Sequence, residues 1–427
     1  MIAESCFKKI FTNGLNKNFF YFIILILIMM TAYFSNFINL NRQASLERIW
    51  SSEGSEALVI GKIRAVENNI DTGKFGLGRL NNVEDTTDEV GYDYEQYISS
   101  FGAQGHFFSF FFNILGIKKY NFYRLAVVGL LSLILVSICF LANHQFGFAY
   151  ASILYLGFLL SPWITAYAKN LFWLPFMWFT PMLISLMILK WPEKLKIFLA
   201  MMFFAIYIKA LCGYEFITTI MLSGISFLVI SLFMKKDRES RLAMVRIIFL
   251  IGIVSLFAFF IALITHASIR GDSLKEGLIS IYQRDVLRRT FGGNAADFDP
   301  RYRASIHASA FDVLNIYIFQ WEREILFGIN GQKVFPFLCF SALLISLYYL
   351  IRPKLAKLPL IVMYIIFFSA SASWYVLGKS HSYIHVAFNY VLWYFGFIQF
   401  SIFALLKFIK DHFPYRTKII KEFIDSL

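Results

Sequence analysis

The sequence lacks several motifs that are typical of soluble enzymes. Its cysteines, Cys6, Cys139, Cys212 and Cys339, are scattered through 427 residues and show neither metal-ligand spacing nor a disulfide framework. No GxxxxGK[ST] loop is present to hold a nucleotide, and no GxSxG elbow presents a nucleophilic serine. The glycine-rich stretch GKFGLGRL lacks the strand-turn-helix setting of a phosphate loop. Nucleotide-dependent and serine-hydrolase chemistry are therefore poor interpretations.

Charged residues are also scarce, at 16% of the chain, whereas hydrophobic residues reach 58%. Soluble proteins average only about 45–50% apolar residues even when glycine is counted. Apolar runs recur along the whole length, and 18 or more such residues suffice to cross a hydrocarbon core of ~30 Å. The sequence predicts an all-α polytopic membrane protein, with residues 1–427 forming a single integral domain.

The apolar runs predict about ten membrane-spanning helices. The first, from about Phe19 to Phe37, is too long for a signal-peptide core and is expected to be retained. Two long polar segments, residues 40–120 and 268–333, interrupt the remaining helices. No internal repeat supports an inverted-repeat transporter. The other nine helices are expected near 122–142, 146–162, 170–189, 197–213, 216–234, 243–265, 334–351, 358–377 and 388–408.

The formal net charge of +13 has a membrane explanation, because the basic residues fall mostly in short loops between apolar runs. Lys8, Lys9 and Lys17 precede the first helix, so the amino terminus is predicted to be cytoplasmic. Alternation then puts the lysines and arginines of the short loops and the carboxyl-terminal tail inside, and both long segments outside. This distribution argues against a nucleic-acid partner.

Two further stretches predict irregular structure on the outer side. Three prolines within SPWITAYAKNLFWLPFMWFTPM indicate a broken passage near the outer face, which only surrounding protein or a cavity tolerates. The stretch SFGAQGHFFSFFFNIL is too short and too mixed to span easily, and it predicts a helix lying along the membrane interface.

The stretch Ser45 to Arg64 follows the first helix and carries Glu47, Glu53 and Glu56. On a helix Glu53 and Glu56, three residues apart, share a face. Solvated loop charges are an ordinary alternative for any one of them. Carboxylates at the mouth of a membrane bundle are nevertheless candidates for deprotonating a hydroxyl group.

Other ionisable residues are predicted on the same outer side, where charges near the membrane are usually paired or functional. Arg288, Arg289 and Lys379 are suited to hold a lipid phosphate through charge-assisted bonds. His381 and His385, four residues apart, are predicted substrate contacts; as a zinc pair they lack a further ligand, so no metal or other cofactor is predicted. The remaining candidates are Lys169, Arg284, Asp285 and the pair Lys209 and Glu215, for which a structural ion pair is an equal alternative.

The order of these segments and several of their motifs resemble those of a known superfamily. One helix, a long outer loop that opens with acidic residues and many further helices resemble the GT-C superfamily, whose members transfer sugars from lipid-linked donors. Within it the chain is similar to bacterial inner-membrane proteins encoded with O-antigen genes, among them the serotype-converting O-antigen glucosyltransferases. The resemblance covers the chain broadly and rests on SLERIWSSEGSEALVIGKI, SFGAQGHFFSF, NLFWLPFMWFTPM, KALCGYEF and GKSHSYIHVAFNYVLWYF.

The resemblance implies a GT-C-like bundle whose active site faces the periplasm. The donor would be a sugar, glucose in the closest analogy, on undecaprenyl phosphate, and the acceptor a lipid-linked O-antigen. A separate enzyme would make the donor and a small flippase would deliver it. The catalytic base falls on Glu53 or Glu56, with Glu47 third. The Asp-Glu pair of some relatives is absent, which leaves the choice of base open.

Two rivals remain at this stage. An O-antigen polymerase would use the second outer segment as its centre and would lengthen glycan chains. A lipid or polysaccharide flippase would form no covalent bond, and it would favour charges in the middle of helices, of which the sequence has few.

Overall fold

The computed structural model describes residues 15–37, 54–84, 90–290, 294–321, 323–326, 328–355 and 358–413. Most of them are helical, and the only strands in these ranges form two small hairpins. Among the described residues, six helical stretches are long and apolar enough to cross a membrane: Tyr120–Phe146, Pro192–Cys212, Ile217–Met234, Arg238–Arg270, Gly331–Ile351 and Leu360–Leu377. The fold is that of a largely helical membrane protein. Ten spans stay a prediction, since Phe148–Leu159 and Phe176–Lys190 are shorter apolar helices.

The helices are numbered in chain order. They are α1 Leu15–Phe34, α2 Glu56–Glu67, α3 Ala103–Ile114, α4 Tyr120–Phe146, α5 Phe148–Leu159, α6 Pro162–Tyr167, α7 Phe176–Lys190, α8 Leu195–Cys212, α9 Ile217–Met234, α10 Arg238–Arg270, α11 Leu274–Ile281, α12 Leu287–Arg289, α13 Arg303–His307, α14 Ala310–Phe319, α15 Gly331–Ile351, α16 Leu360–Leu377, α17 Lys379–Ile384, α18 Val386–Asn389 and α19 Phe397–His412. The strands are β1 Gly78–Glu84 paired with β2 Val90–Gln96, and β3 Glu324–Leu326 paired with β4 Ile329–Asn330, both antiparallel.

The long helices run alternately between two ends of the bundle. At one end, here called the basic end, the end of α4, the end of α9 and the start of α10 meet α16 and α19. This end carries Lys235, Lys236, Arg241, Lys407 and Lys410. The opposite end, here called the cavity end, holds the start of α4 and the ends of α8, α10 and α16. The two long polar segments fold over this cavity end.

The first polar segment packs on the bundle through its own small core. Leu58, Ile63 and Phe108 from the segment contact Val127 of α4 and Leu171 in the chain between α6 and α7. The buried side-chain amide of Gln104 in α3 donates to the backbone oxygens of Phe172 and Cys212, at 3.2 and 2.9 Å. The segment therefore folds against the bundle and is held there by both apolar contacts and hydrogen bonds.

Close backbone contacts explain the glycine-rich stretch of this segment. A Cβ atom on Gly105 would lie 1.6 Å from the carbonyl oxygen of Gly76, and one on Gly76 would lie 1.9 Å from that of Gly102. Gly61 meets the carbonyl oxygen of Gly78 in the same way, at 2.3 Å. These glycines let α2, α3 and the loop before β1 approach at backbone distance. The glycine-rich stretch therefore serves close backbone packing.

The proline-rich passage is broken, as predicted. Pro162 begins α6 at its first position, where its missing N–H costs nothing, and Ser161 caps the helix by accepting from the N–H of Ile164. The chain then turns through residues 168–175 before α7 begins. Ala168, Asn170 and Leu171 in this turn are almost fully buried, which shows that surrounding protein covers it.

The last apolar stretch differs from the predicted helix over 388–408. The chain forms the short α18 and a 3-10 turn at Tyr390–Tyr394, and α19 begins only at Phe397. Gly396 has a φ of 111°, a left-handed conformation that ends the turn and redirects the chain. The side chains of residues 390–395 are aromatic or aliphatic and are buried. The apolar sequence here therefore reflects burial inside the protein and not a membrane-spanning helix.

The predicted interfacial helix is α3. It begins at Gly102, whose φ of 79° only glycine adopts readily. Phe108 and Phe112 pack into the small core, whereas Phe107, Phe110 and Ile114 are more than half exposed. An apolar face of this size on a short helix is typical of contact with lipid at the membrane surface.

Candidate functional site

A cavity of about 440 Å³ opens at the cavity end, between the two polar segments and the helix ends. Six parts of the chain enclose it. Its lining consists of Gly54, Ser55 and Leu58 around the start of α2; Arg79, Tyr97 and Ser99 beside the first hairpin; Phe172 and Trp173; Glu215; Arg288, Arg289 and Tyr302; and His381, His385, Phe388 and Asn389. The sequence-predicted residues Arg288, Arg289, His381 and His385, from two distant stretches, therefore meet in one cavity.

An ionic cluster forms the cationic wall of this cavity. Arg289 lies 3.5 Å from Glu215 and 3.6 Å from Asp285, measured between nitrogen and carboxylate oxygen. Asp285 also contacts Arg270 at the end of α10. Burial alone disfavours the charge on Arg289, but Tyr97 and the two carboxylates outweigh it and raise the pKa of its guanidinium. Arg289 is therefore a permanent cation facing the cavity.

The local backbone explains why both arginines face the cavity. The helix that starts as α11 passes through a π-helical turn at Tyr282–Val286 before α12, and such turns are frequent at functional sites. Asp285 lies in this turn and reaches Arg288 at 3.9 Å, three residues later. The guanidinium of Arg288 lies over the ring of Tyr302, 5.2 Å from its centroid. The stacking leaves its N–H groups available at the edge of the cavity.

The two histidines line the same cavity as the arginines, with His381 in α17 and His385 directly after it. Their ring centroids are 4.6 Å apart. Burial, followed by the neighbouring His385 and the arginines, lowers the pKa of His381 well below its ordinary range. Burial and Arg289 likewise lower the pKa of His385. Both imidazoles are therefore neutral near pH 7, and Nδ1 of His381 has no hydrogen-bond partner among the described residues. Neutral rings can accept and donate hydrogen bonds to hydroxyl groups.

Aromatic rings form the remaining walls. Trp173 stacks on Phe216 with centroids 5.5 Å apart and an angle of 13° between the ring planes. Tyr97 packs against Phe172 at 6.4 Å. Phe216 begins α9 with a φ of 65°, a left-handed conformation that turns the chain sharply after Glu215. Rigid aromatic faces beside polar groups are suited to a sugar ring or a prenyl chain.

Glu56 lies outside the cavity. Its side chain has no exposed surface. Its two carboxylate oxygens accept hydrogen bonds from Nε and from one terminal nitrogen of Arg124, at 3.2 and 3.3 Å. The same carboxylate also accepts from the backbone N–H of Leu171, at 3.2 Å. Glu56 thereby ties α2 to α4 and to the turn before α7. Lys169 lies close to this pair, where burial and Arg124 lower its pKa to about 8.

The other predicted base, Glu53, lies outside the described residues, as does Glu47. The two residues that follow Glu53 in the chain, Gly54 and Ser55, both line the cavity.

Two predicted lysines hold backbone oxygens. The ammonium group of Lys379 donates to the carbonyls of Ile306 and Ala308, at 2.7 and 2.6 Å, and so fastens the second polar segment to α17. Lys209 donates to the carbonyl of Gly213 at 2.5 Å at the end of α8. Neither lysine lines the cavity. The predicted alternative of a Lys209–Glu215 pair is replaced by the contact of Glu215 with Arg289.

Sequence reasoning did not single out several residues that line the cavity. Arg79 lies in β1 and Tyr97 follows β2, Tyr302 belongs to a short turn of the second segment, and Asn389 ends α18. Arg79 lies in the glycine-rich stretch GKFGLGRL, which is a weak signal. Nothing in the sequence alone marks Tyr302, which looks like an ordinary loop residue, and Asn389 falls inside the helix predicted near 388–408.

The described part of the chain holds no cluster of three or more histidine, cysteine or acidic side chains arranged to bind a metal ion. Comparisons with protein-family models, with curated proteins and with solved structures find no match to this chain. The class defined by the fold and the site is accordingly a largely helical membrane protein with a cationic, aromatic-walled cavity at one end.

Proposed function

We propose that this protein is a GT-C-type membrane glycosyltransferase, which moves a hexose, glucose by analogy, from undecaprenyl phosphate onto a lipid-linked O-antigen. One observation carries the proposal. The cavity gathers two arginines and two neutral histidines from distant stretches of the chain, next to the residues that follow Glu53. Cations for a leaving phosphate, hydrogen-bonding groups for a sugar and a carboxylate that acts as base are the components that such a transfer needs.

The proposed reaction is a single displacement. Glu53 accepts the proton of the acceptor hydroxyl, and the hydroxyl oxygen bonds to the anomeric carbon of the donor sugar. The bond from that carbon to the phosphate oxygen breaks, and its electron pair leaves with undecaprenyl phosphate. Arg288 and Arg289 stabilise the charge that develops on the phosphate oxygens, in a cavity where water is partly excluded. The anomeric configuration inverts, because attack and departure occur on opposite faces.

The proposed base is Glu53 in preference to Glu56, because both oxygens of Glu56 are engaged by Arg124 and by the backbone of Leu171. Glu56 then acts as a positioning residue for the start of α2. His381 and His385 contact sugar hydroxyls. Lys379 and Lys209 support the site by holding the loops beside it.

The orientation follows from charge. Short loops rich in lysine and arginine lie at the basic end, and such loops stay in the cytoplasm. The cavity therefore faces the periplasm of a bacterial inner membrane, with both termini cytoplasmic. A lipid-linked donor fits this side, because the periplasm holds no nucleotide sugars and the lipid brings its own activated phosphate. A donor-synthesising enzyme and a small flippase are the expected partners.

Mass spectrometry of the O-antigen repeat tests the proposal in cells with and without this gene. One additional hexose per repeat, lost in Glu53→Gln and in Arg289→Gln, is the expected result. Glu67→Gln is the matched control, since Glu67 pairs with Lys118 at an exposed site away from the cavity. An unchanged repeat with altered chain length would instead identify a polymerase, and an unchanged glycan would leave a flippase.

A further inference from the structure

Glu215 is a carboxylate that lines the cavity, and its contacts are unusual. It lies in the short link between α8 and α9, after Gly213, where a Cβ atom would be only 2.4 Å from Oε2 of Glu215. The missing side chain lets the carboxylate fold back towards Arg289. Their separation of 3.5 Å exceeds the roughly 2.7–2.9 Å of a strong charge-assisted hydrogen bond. Glu215 therefore contacts Arg289 without being locked to it.

Arg289 also has unused binding capacity. Its Nε–H has no hydrogen-bond partner among the described residues, although the guanidinium is almost fully buried. A buried donor without a partner is costly and points to a ligand that completes it. The guanidinium fork is shaped for two oxygens of one phosphate.

The charges around Arg289 are close to balance. Three arginines, Arg270, Arg288 and Arg289, face two carboxylates, Asp285 and Glu215. The three cations exceed the two anions by one, so the cluster can accept the single negative charge of a phosphodiester. That phosphate competes with Glu215 for the N–H groups of the same guanidinium. Asp285 is shared between Arg270 and Arg289 and is the better anchored of the two acids. Glu215 is the one free to leave.

We propose that Glu215 occupies the place of the donor phosphate on Arg289 and leaves it when a lipid phosphate binds. This rests on the proposed function, since it concerns the same arginines. The displaced carboxylate turns towards His385, which lines the same cavity. There it accepts a hydrogen bond from a substrate hydroxyl. Glu215 is thus a positioning residue that becomes available only after the phosphate is bound.

The test measures binding of undecaprenyl phosphate to the purified full-length protein in nanodiscs. Removing the competing charge in Glu215→Gln is expected to tighten binding by roughly threefold to tenfold, the range of a partly buried ion pair. The same variant should lower kcat for hexose transfer while lowering KM for the donor. Glu67→Gln, which removes an ion-paired glutamate elsewhere on this end, should leave both constants unchanged. Arg289→Gln should weaken binding and so identify the site.

Each outcome separates the two proposals. Equal or weaker binding in Glu215→Gln would overturn the displacement and leave the transferase intact. Tighter binding with no hexose transfer by the wild type would support the displacement and overturn the transferase. Absence of binding in the wild type and in Glu215→Gln alike would overturn both. If Glu215→Gln does not fold, Glu215→Ser removes the same charge and carries the same expectation.

Discussion

At the scale of single residues, Glu56 joins three parts of the chain through one buried carboxylate. Its partners Arg124 and Leu171 belong to α4 and to the turn before α7. A buried ion pair adds little net stability over apolar packing, but removing one partner leaves the other charge buried and unpaired. Glu56 is therefore expected to matter for folding before it matters for catalysis.

The change Glu56→Gln should lower the free energy of unfolding by roughly 3 kcal/mol, because Arg124 loses its counter-charge. Thermal unfolding in detergent, compared with wild type, measures this. Glu67→Gln is the control and should cost less than about 1 kcal/mol, since its pair with Lys118 is exposed. Wild-type stability in Glu56→Gln would mean that the ion pair is dispensable and would return this residue to the candidates for the base.

The histidines make stability depend on pH. Their pKa values in the folded protein lie below the ordinary 6.5, so the unfolded chain binds more protons as the pH falls below that value. Lowering the pH from 7 to 5 should reduce the free energy of unfolding by roughly 1–2 kcal/mol. Denaturant titrations at both pH values measure the difference.

The double change His381→Asn with His385→Asn should flatten this dependence. It will not abolish it, because burial also lowers the pKa of His106 in the first polar segment. A variant as pH-sensitive as the wild type would show that the imidazoles of His381 and His385 titrate normally.

Residue-level prediction from the sequence had a clear limit. Arg288, Arg289, His381 and His385 could be selected because each is ionisable and is predicted on the same outer side. The histidines lie near the end of an apolar run, and the arginines lie in the second polar segment. Glu56 was selected by the same rule. Its partner Arg124 is 68 positions away, however, and no local sequence pattern predicts their ion pair. A buried ion pair and a cavity-facing charge look alike in a sequence, because only the tertiary contacts distinguish them.

At the scale of elements, the glycine contacts decide how closely α3 approaches the loop before β1. Gly105→Ala would place a methyl group against the carbonyl oxygen of Gly76, at a distance that no relaxation of side chains can relieve. We expect a loss of at least about 2 kcal/mol in stability, typical of overpacking. Limited proteolysis of the first polar segment should show faster cleavage than in the wild type.

Gly252→Ala provides the matched control. Gly252 lies within α10, and a Cβ atom there meets nothing within 4 Å. Alanine is the better helix former, so stability should be unchanged or higher by about 0.5–1 kcal/mol. Equal protease sensitivity in the two variants would contradict the packing role of Gly105.

Elements were predicted best where apolar runs are long and continuous. The runs near 122–142, 216–234, 334–351 and 358–377 correspond to helices α4, α9, α15 and α16. The run near 388–408 was equally apolar, but α19 begins only after Gly396. Hydropathy reports that a segment avoids water, and buried protein and lipid satisfy that requirement equally.

At the scale of the whole molecule, the two ends differ in charge and predict an orientation. Glu193 lies in the loop between α7 and α8 at the basic end, and Asp272 follows α10 at the cavity end; both are exposed. In a Cys6→Ser background, Asp272→Cys should react with a membrane-impermeant maleimide added to spheroplasts. Glu193→Cys should react only after the membrane is permeabilised.

The remaining cysteines do not interfere, because Cys139, Cys212 and Cys339 are buried. The reverse labelling pattern would place the cavity in the cytoplasm and remove the argument for a flipped lipid donor.

The scattered origin of the cavity has a consequence for biosynthesis. Its walls come from residues as far apart in the chain as Gly54 and Asn389, and Lys379 fastens the second polar segment only after α17 has been made. A chain still on the ribosome therefore possesses α2, the first hairpin and the arginines long before it possesses a complete cavity. A ligand therefore meets no finished site until the last of these residues, Asn389, has been made and folded.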